Sequence, residues 1–288
     1  MATTAETQDR TRVAALLTLG SIVSVQGGAA LATTLFDSVG SSGAVFLRAL
    51  FGALALLAVT RGAPLREWPH RDVLLLGVSV AVVNLLFYAA LERLPLGIAV
   101  TLEFIGPLGV AVFGSRRPRD LLWVALAAAG IVLLSDGGGD DGVDPLGVAL
   151  ALGAGLFWAA YIVQSARVGR LGPGMGGATM AAVISTVIVA PFGLAEGGGE
   201  FLDPSILAVG AAVGILSTAI PYAAEIEALR HLPQAVFGVL MSLEPAVAAA
   251  IGFLALSQGL GLVEVIAIAL VVLASAGALR SAASPPRD

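Results

Sequence analysis

The chain has 288 residues, of which 58% are hydrophobic and 12% charged, with a formal net charge of −5. Soluble domains carry about 25% charged residues, and a water-soluble fold of this length cannot hide so much apolar surface. There is no cysteine, and all 15 basic residues are arginine, which excludes disulfides, iron–sulfur clusters, thiol nucleophiles, P-loops and Schiff-base enzymes.

Ten apolar stretches are long enough to cross a bilayer, and the expected fold is an all-α polytopic membrane protein. The first span, 13–35, follows Arg10 and Arg12 and carries Gln26. Its apolar run exceeds the 7–15 residues of a signal-peptide core, so no cleavage is expected despite the small residues at Gly28-Ala29-Ala30. The second, 41–60, contains Arg48; the third, 72–91, contains Asn84 and Tyr88, four apart and so on one face. The fourth, 94–113, places Glu103 at mid-span, four residues before Pro107. Proline has no N–H, so the Glu103 carbonyl loses its helical partner. The fifth span is 119–135. The sixth, 145–165, carries Trp158 and Tyr161 on one face, then Gln164; the seventh is 174–193. In the eighth, 204–228, Pro221 releases the Ser217 carbonyl ahead of Glu225 and Glu227. In the ninth, 232–256, Pro245 releases that of Met241, with Glu244 beside the proline. The tenth is 262–280. Pro107, Pro221 and Pro245 are thus expected helix kinks.

The second five spans echo the first at an offset of 138 residues. Gln26 returns as Gln164, Ala90-Leu91 as Ala228-Leu229, Leu94-Pro95 as Leu232-Pro233, Pro107 as Pro245 and Gly114 as Gly252. Internal repeats are common in secondary transporters. Two five-helix units are expected, 13–135 and 145–280, with tails 1–12 and 281–288. Of the arginines, 13 fall on the amino-terminal side of the membrane: Arg10, Arg12, Arg61, Arg66, Arg71, Arg116, Arg117, Arg119, Arg167, Arg170, Arg230, Arg280 and Arg287. Arg93 alone falls on the other, and Arg48 lies inside a span. Both termini are therefore expected in the cytoplasm. An odd number of helices per unit inverts the second copy, which supports two alternative conformations.

Ionisable groups inside a membrane are functional candidates by default. Here they are Glu103, Glu225, Glu244 and Arg48, with Glu227 closer to the cytoplasmic edge. Carboxyl groups beside freed carbonyls at mid-membrane suggest a polar site between the fourth, eighth and ninth spans. The plainer alternative is that each proline only shapes the bundle and each Glu pairs with a hydroxyl or with Arg48. Arg48 could bind a substrate carboxylate, neutralise a buried Glu, or snorkel outward. Asn84, Tyr88, Trp158 and Tyr161 are candidate cavity walls, and Gln26 and Gln164 gain weight from their symmetry. The only histidines, His70 and His231, offer no metal-ligand spacing. No span places a His or Lys base near a serine, and no basic stripe suggests nucleic acid. No enzyme activity, cofactor or metal is expected, and the oligomeric state is left open.

The plan of ten helices in two inverted units resembles the drug/metabolite transporter superfamily, EamA type. The similarity covers nearly the whole chain. It rests on Leu94-Pro95-Leu96-Gly97-Ile98-Ala99-Val100, Leu102-Glu103-Phe104, Gly106-Pro107-Leu108, Ser115-Arg116-Arg117-Pro118 and Val25-Gln26-Gly27-Gly28-Ala29. It rests also on Ala149 to Gly155 with Trp158, on Leu216-Ser217-Thr218-Ala219 with Pro221-Tyr222, and on Leu240-Met241-Ser242 with Glu244-Pro245-Ala246. These strings closely resemble those of its amino-acid-exporting subgroup. The resemblance implies a bacterial inner-membrane exporter of small amino acids such as threonine and homoserine, driven by protons or by the substrate gradient itself. It implies that Gln26, Asn84, Glu103, Glu225 and Glu244 occupy polar motif positions, adds Tyr222 beside Pro221, and leaves Glu227 where an apolar residue is more usual. Efflux of another metabolite or drug, such as a purine, an aromatic amino acid or a cationic toxin, is the nearest alternative; a membrane scaffold or receptor is a further one.

Overall fold

The computed structural model describes residues 4–61, 71–115, 121–136, 143–170 and 175–283. Of the orientation residues, Arg66, Arg116, Arg117, Arg119 and Arg287 lie outside this set, as does His70. Every regular element among the described residues is helical: α1 (Thr4–Thr33), α2 (Phe36–Val59), α3 (Arg71–Leu91), α4 (Leu96–Glu103), α5 (Ile105–Ser115), α6 (Leu121–Asp136), α7 (Pro145–Val168), α8 (Gly176–Gly197), α9 (Pro204–Gly214), α10 (Ile220–Leu229), α11 (Gln234–Met241), α12 (Glu244–Leu256) and α13 (Leu262–Ala283). A 3₁₀ turn, Gly198–Leu202, follows α8, and a π turn, Ile215–Ala219, joins α9 to α10. Among these residues nine helical segments are long and apolar enough to cross a membrane. The tenth apolar helix, α6, has 16 residues, about 24 Å at 1.5 Å per residue. The chain is thus a polytopic helical membrane protein. Helices suit this setting because each satisfies its own backbone hydrogen bonds where no water can. Phe113, Leu156, Leu254 and Leu262 stand exposed on the outside of the bundle, where lipid rather than water is the solvent.

The fourth and ninth expected spans are each broken in two. Phe104 interrupts α4 and α5, three residues before Pro107; Ser242 and Leu243 interrupt α11 and α12, just before Pro245. Pro95 (φ −54°, ψ 144°) and Pro233 (φ −58°, ψ 140°) stand in the same conformation before α4 and α11, each of 8 residues. The ends of α3 and α10, at Leu91 and Leu229, carry the same offset of 138 residues. The second span starts as expected from sequence only in part. Helical structure already begins at Phe36, but Gly40 (φ +69°) interrupts it, so the straight helix starts at position 41. A Cβ on Gly40 would lie 2.0 Å from Glu196 Cδ, and its backbone conformation favours glycine.

The packing partners run across the two halves of the chain. α2 packs along α8 and α6 along α13; α3 packs on α7 and α8, while α10 packs on α1 and α9 on α2. α4 lies against α7 and α12, and α1 against α12. The break after Glu103 crosses α7 backbone to backbone: a Cβ on Gly106 would fall 1.9 Å from the Gly155 carbonyl oxygen, and one on Gly155 2.6 Å from that of Glu103. Small residues permit such approaches in lipid. The main core gathers Val39, Leu47, Tyr88, Leu96 and Leu102, all fully buried.

Candidate functional site

A cavity of about 370 Å³ lies within the bundle, walled by α1, α2, α3, α7, α8, α10 and the two broken helices. Of the sequence candidates, Gln26, Arg48, Asn84, Glu103, Trp158, Tyr161, Pro221, Tyr222, Glu225 and Glu244 line it. Three carboxyl groups and one guanidinium therefore share a space that is otherwise mostly apolar.

Each charged group has a different setting. Glu225 accepts a hydrogen bond from Ser21 Oγ at 2.5 Å. Glu244, 5% exposed, accepts one from Gln26 Nε2 at 3.0 Å. Glu103, 7% exposed, receives no side-chain hydrogen bond among the described residues and borders the cavity directly. Arg48 donates from Nη1 to Asn84 Oδ1, and its guanidinium carbon lies 5.6 Å from the centre of the Tyr88 ring. Asn84 is held in turn by donating to the Val80 carbonyl at 2.7 Å. Among the described residues Arg48 forms no ion pair with a carboxylate. A cation over an aromatic face is favoured more when desolvated, so Tyr88 supports Arg48 from below without lining the cavity itself. Trp158 meets Phe104, at the α4–α5 break, edge to face with centroids 5.4 Å apart.

The π turn changes one detail of the proline argument. Through Ile215–Ala219 the hydrogen-bond register is five residues, with Ile220 N–H reaching the Ile215 carbonyl. The acceptor opposite the missing N–H of Pro221 is therefore Leu216, not Ser217, and Ser24 Oγ donates to that carbonyl at 2.7 Å. Gly28 allows the approach: a Cβ there would fall 2.2 Å from Ser217 Oγ.

Other candidates lie elsewhere. Gln164 does not line the cavity, although Tyr161 and Ser165 on the same helix do. Glu227 is on the surface, paired with Arg230 at 2.9 Å and His231 at 3.2 Å. Pro107 and Pro245 shape the breaks from outside the lining. The sequence alone points to no role for Ser21, Ser24 or Ser185, and Thr218 enters it only within the string Leu216-Ser217-Thr218-Ala219. Single hydroxyls in an Ala- and Ser-rich helix carry no local signal, and only the packing of α1 on α10 brings Ser21 to Glu225.

The lining runs toward the arginine-bearing helix ends, reaching Leu56 before Arg61, Leu76 after Arg71, Ser165 before Arg167 and Glu225 before Arg230. Three contacts join the two halves of the chain at the opposite end. Ser42 N–H donates to Glu196 Oε2, Arg93 Nη1 to Asp144 Oδ2, and Leu96 N–H to Gln258 Oε1, each at 2.9 Å. Asp144 also caps α7 through the N–H groups of Leu146 and Gly147. The hydrogen bond from Arg93, and then that from Leu146, hold its carboxyl below the ordinary range. At the head of α9, Asp203 is likewise held low, by hydrogen bonds from Ser205.

Known proteins resemble this chain over most of its length. The chain is 43% identical over 267 residues to the threonine/homoserine exporter RhtA of Escherichia coli strain K12, covering 91% of this chain and 90% of the relative. Its counterpart in Salmonella typhimurium strain LT2 gives the same figures. An uncharacterized transporter of Bacillus subtilis, YwfM, is 26% identical over 252 residues, 84% of each chain. A solved structure titled only "Crystal structure of protein" superposes with a TM-score of 0.66 at 19% identity, covering 94% of this chain and 96% of its own, and so shares the fold. The model of the EamA-like transporter family matches residues 145–280, and with relatives this similar over nine-tenths of their length the chain belongs to that family.

Proposed function

We propose that this protein exports small amino acids, threonine and homoserine foremost, from the bacterial cytoplasm across the inner membrane by proton antiport, and that it is not an enzyme. The observation that carries the reading is the shared occupancy of one mid-bundle cavity by Glu103, Glu225, Glu244 and Arg48, in a chain 43% identical to proteins named threonine/homoserine exporters. A volume of about 370 Å³ lies in the range of small-molecule sites. A zwitterion needs a partner at each end: a cavity carboxylate serves its ammonium, and Arg48 serves its carboxylate. Glu103 or Glu225 exchanges the proton. Cationic drugs call for aromatic cages, and 17 aromatic residues in 288 make that alternative the weaker one.

Alternating access in this reading uses two inverted units, 13–135 and 145–280, rocking about the cavity, with tails 1–12 and 281–288 and both termini in the cytoplasm. Its supports are the shared offset of α3 with α10 and of α4 with α11, and the exchange of packing partners between the halves. With the arginine-rich side cytoplasmic, the cavity is that of an inward-facing state, closed outside by the three contacts between halves.

The direct test is uptake of radiolabelled threonine and homoserine into proteoliposomes with and without an imposed pH gradient. Gradient-dependent movement, competed by unlabelled substrate, is the expected result. Movement indifferent to the gradient removes the proton mechanism; no movement of either amino acid by folded protein overturns the substrate assignment.

A further inference from the structure

Gln26, Met241 and Glu244 line the cavity where α1 faces the break between α11 and α12, and this corner holds acceptor oxygens left without donors. Gln26 is 2% exposed and Glu244 5%. Their mutual hydrogen bond uses Gln26 Nε2 and Glu244 Oε1, which leaves Gln26 Oε1 and Glu244 Oε2 over. Both are buried without a hydrogen-bond partner among the described residues. The third acceptor is the carbonyl of Met241, another lining residue. Pro245 has no N–H to offer it, so it lacks its regular helical donor.

Buried polar groups are almost always paired, so two orphaned side-chain oxygens, beside a carbonyl that lacks its helical donor, describe a missing donor. A hydroxyl supplies one O–H donor and a carboxylate supplies none. A primary ammonium supplies three N–H donors and the opposite charge. On the α2–α3 side of the same cavity, Arg48 is oriented by Asn84 and Tyr88, an arrangement suited to an anionic group.

We propose that Gln26 Oε1, Glu244 Oε2 and the Met241 carbonyl form the subsite for the substrate's α-ammonium group, with the α-carboxylate directed to Arg48. The inference rests on the amino-acid exporter reading and adds an orientation to it. It makes Gln26 a specificity-determining residue that selects primary amines. It also divides the carboxyl groups, Glu244 binding substrate while Glu103 and Glu225 handle the proton.

The test is competition against labelled homoserine on the purified full-length protein in lipid nanodiscs. Three competitors are compared: homoserine, its trimethylammonium derivative, which keeps the charge without any N–H, and 4-hydroxybutyrate, which lacks the amino group. On the unaltered protein, both analogues are expected to bind at least about tenfold more weakly than homoserine, as lost hydrogen bonds to charged groups require. In Gln26→Leu, homoserine affinity falls by roughly tenfold while that of 4-hydroxybutyrate stays unchanged. Equal binding of homoserine and the trimethylammonium derivative, or an equal loss for homoserine and 4-hydroxybutyrate in the variant, overturns the subsite. The analogue comparison needs no substitution, so it decides even where Gln26→Leu does not fold. Failure of the unaltered protein to bind homoserine at all overturns the amino-acid reading itself, a result distinct from either.

Discussion

At the scale of single residues, Arg48 shows how far local sequence can reach. Its position two turns from a helix end allowed snorkelling, a buried ion pair or substrate binding, and nothing in the span decides among them. Asn84 and Tyr88 on α3 hold the guanidinium at the cavity, which sets snorkelling aside and leaves substrate binding as the proposed role. Arg48→Gln is expected to weaken substrate binding by about 10- to 100-fold, the loss of a charge-assisted hydrogen bond. Arg48→Lys restores only part of it, because an ammonium lacks the planar fork. Equilibrium binding of labelled threonine checks both, and unchanged affinity in Arg48→Gln would remove the residue from the site. The proton role is tested separately. Glu103→Gln and Glu225→Gln keep side-chain size and remove the titrating group. At least one is expected to abolish pH-driven accumulation in proteoliposomes while leaving substrate exchange; normal accumulation in both removes the proton role from these residues. Of the hydrogen-bond partners, Ser21 carries no signal of its own in the sequence, and Gln26 is legible there as a polar position. Their pairing with Glu225 and Glu244 spans 204 and 218 residues, a separation that no periodicity encodes.

Elements were more legible than partners, because a proline acts on its own helix. Pro107 and Pro245 announced breaks, and the helices do divide just before each. Pro221 announced a disturbance of the right helix but misassigned the carbonyl, since the π turn moves the acceptor from Ser217 to Leu216. The symmetry of Gln26 with Gln164 was legible as well, yet it did not extend to the cavity wall. A duplicated sequence fixes equivalent positions on a helix, and the side facing the cavity is fixed by neighbours that differ. The crossing of α7 over the α4–α5 break was invisible, because one glycine among 36 carries no mark of contact. Its dependence on Gly155 is testable. A Cβ there meets the Glu103 carbonyl at 2.6 Å, backbone that has little room to shift. Gly155→Ala is expected to destabilise the folded protein by about 1–3 kcal/mol, the usual range for overpacking. Gly199→Ala, whose Cβ meets nothing within 4 Å, is expected to leave the thermal unfolding midpoint near that of the unaltered protein. Equal midpoints for the two variants would mean that the crossing tolerates the extra atom.

At the scale of the whole molecule, the end away from the cavity mouth is held by contacts that join the first half of the chain to the second. Among them Glu196 accepts from Ser42 N–H beside the bend at Gly40, whose positive φ favours glycine. If the halves rock about the cavity, loosening this end favours the outward-open state. The chain has no cysteine, so Ala29→Cys, at the cavity wall, serves as a reporter without further changes. Adding Glu196→Ala is expected to speed its reaction with an impermeant maleimide from outside; an unchanged rate would show that the contact does not hold the closed state. Acidity separates this latch from the cavity. Asp144 has its carboxyl held below the ordinary value in the folded protein, so its contribution is fully present above the unfolded value of about 3.9. That contribution is lost only as pH falls through the lower folded value. Between pH 5 and 8 the Asp144 carboxyl therefore stays charged, and it does not sense the gradient. Once each rate is divided by that of the same thiol in unfolded protein, which removes the thiol's own ionisation, a remaining change across that window is assigned to the cavity carboxyls. It is expected to persist in Asp144→Asn and to disappear in the double variant Glu103→Gln, Glu225→Gln, and the reverse pattern would move pH sensing from the centre of the bundle to its outer face.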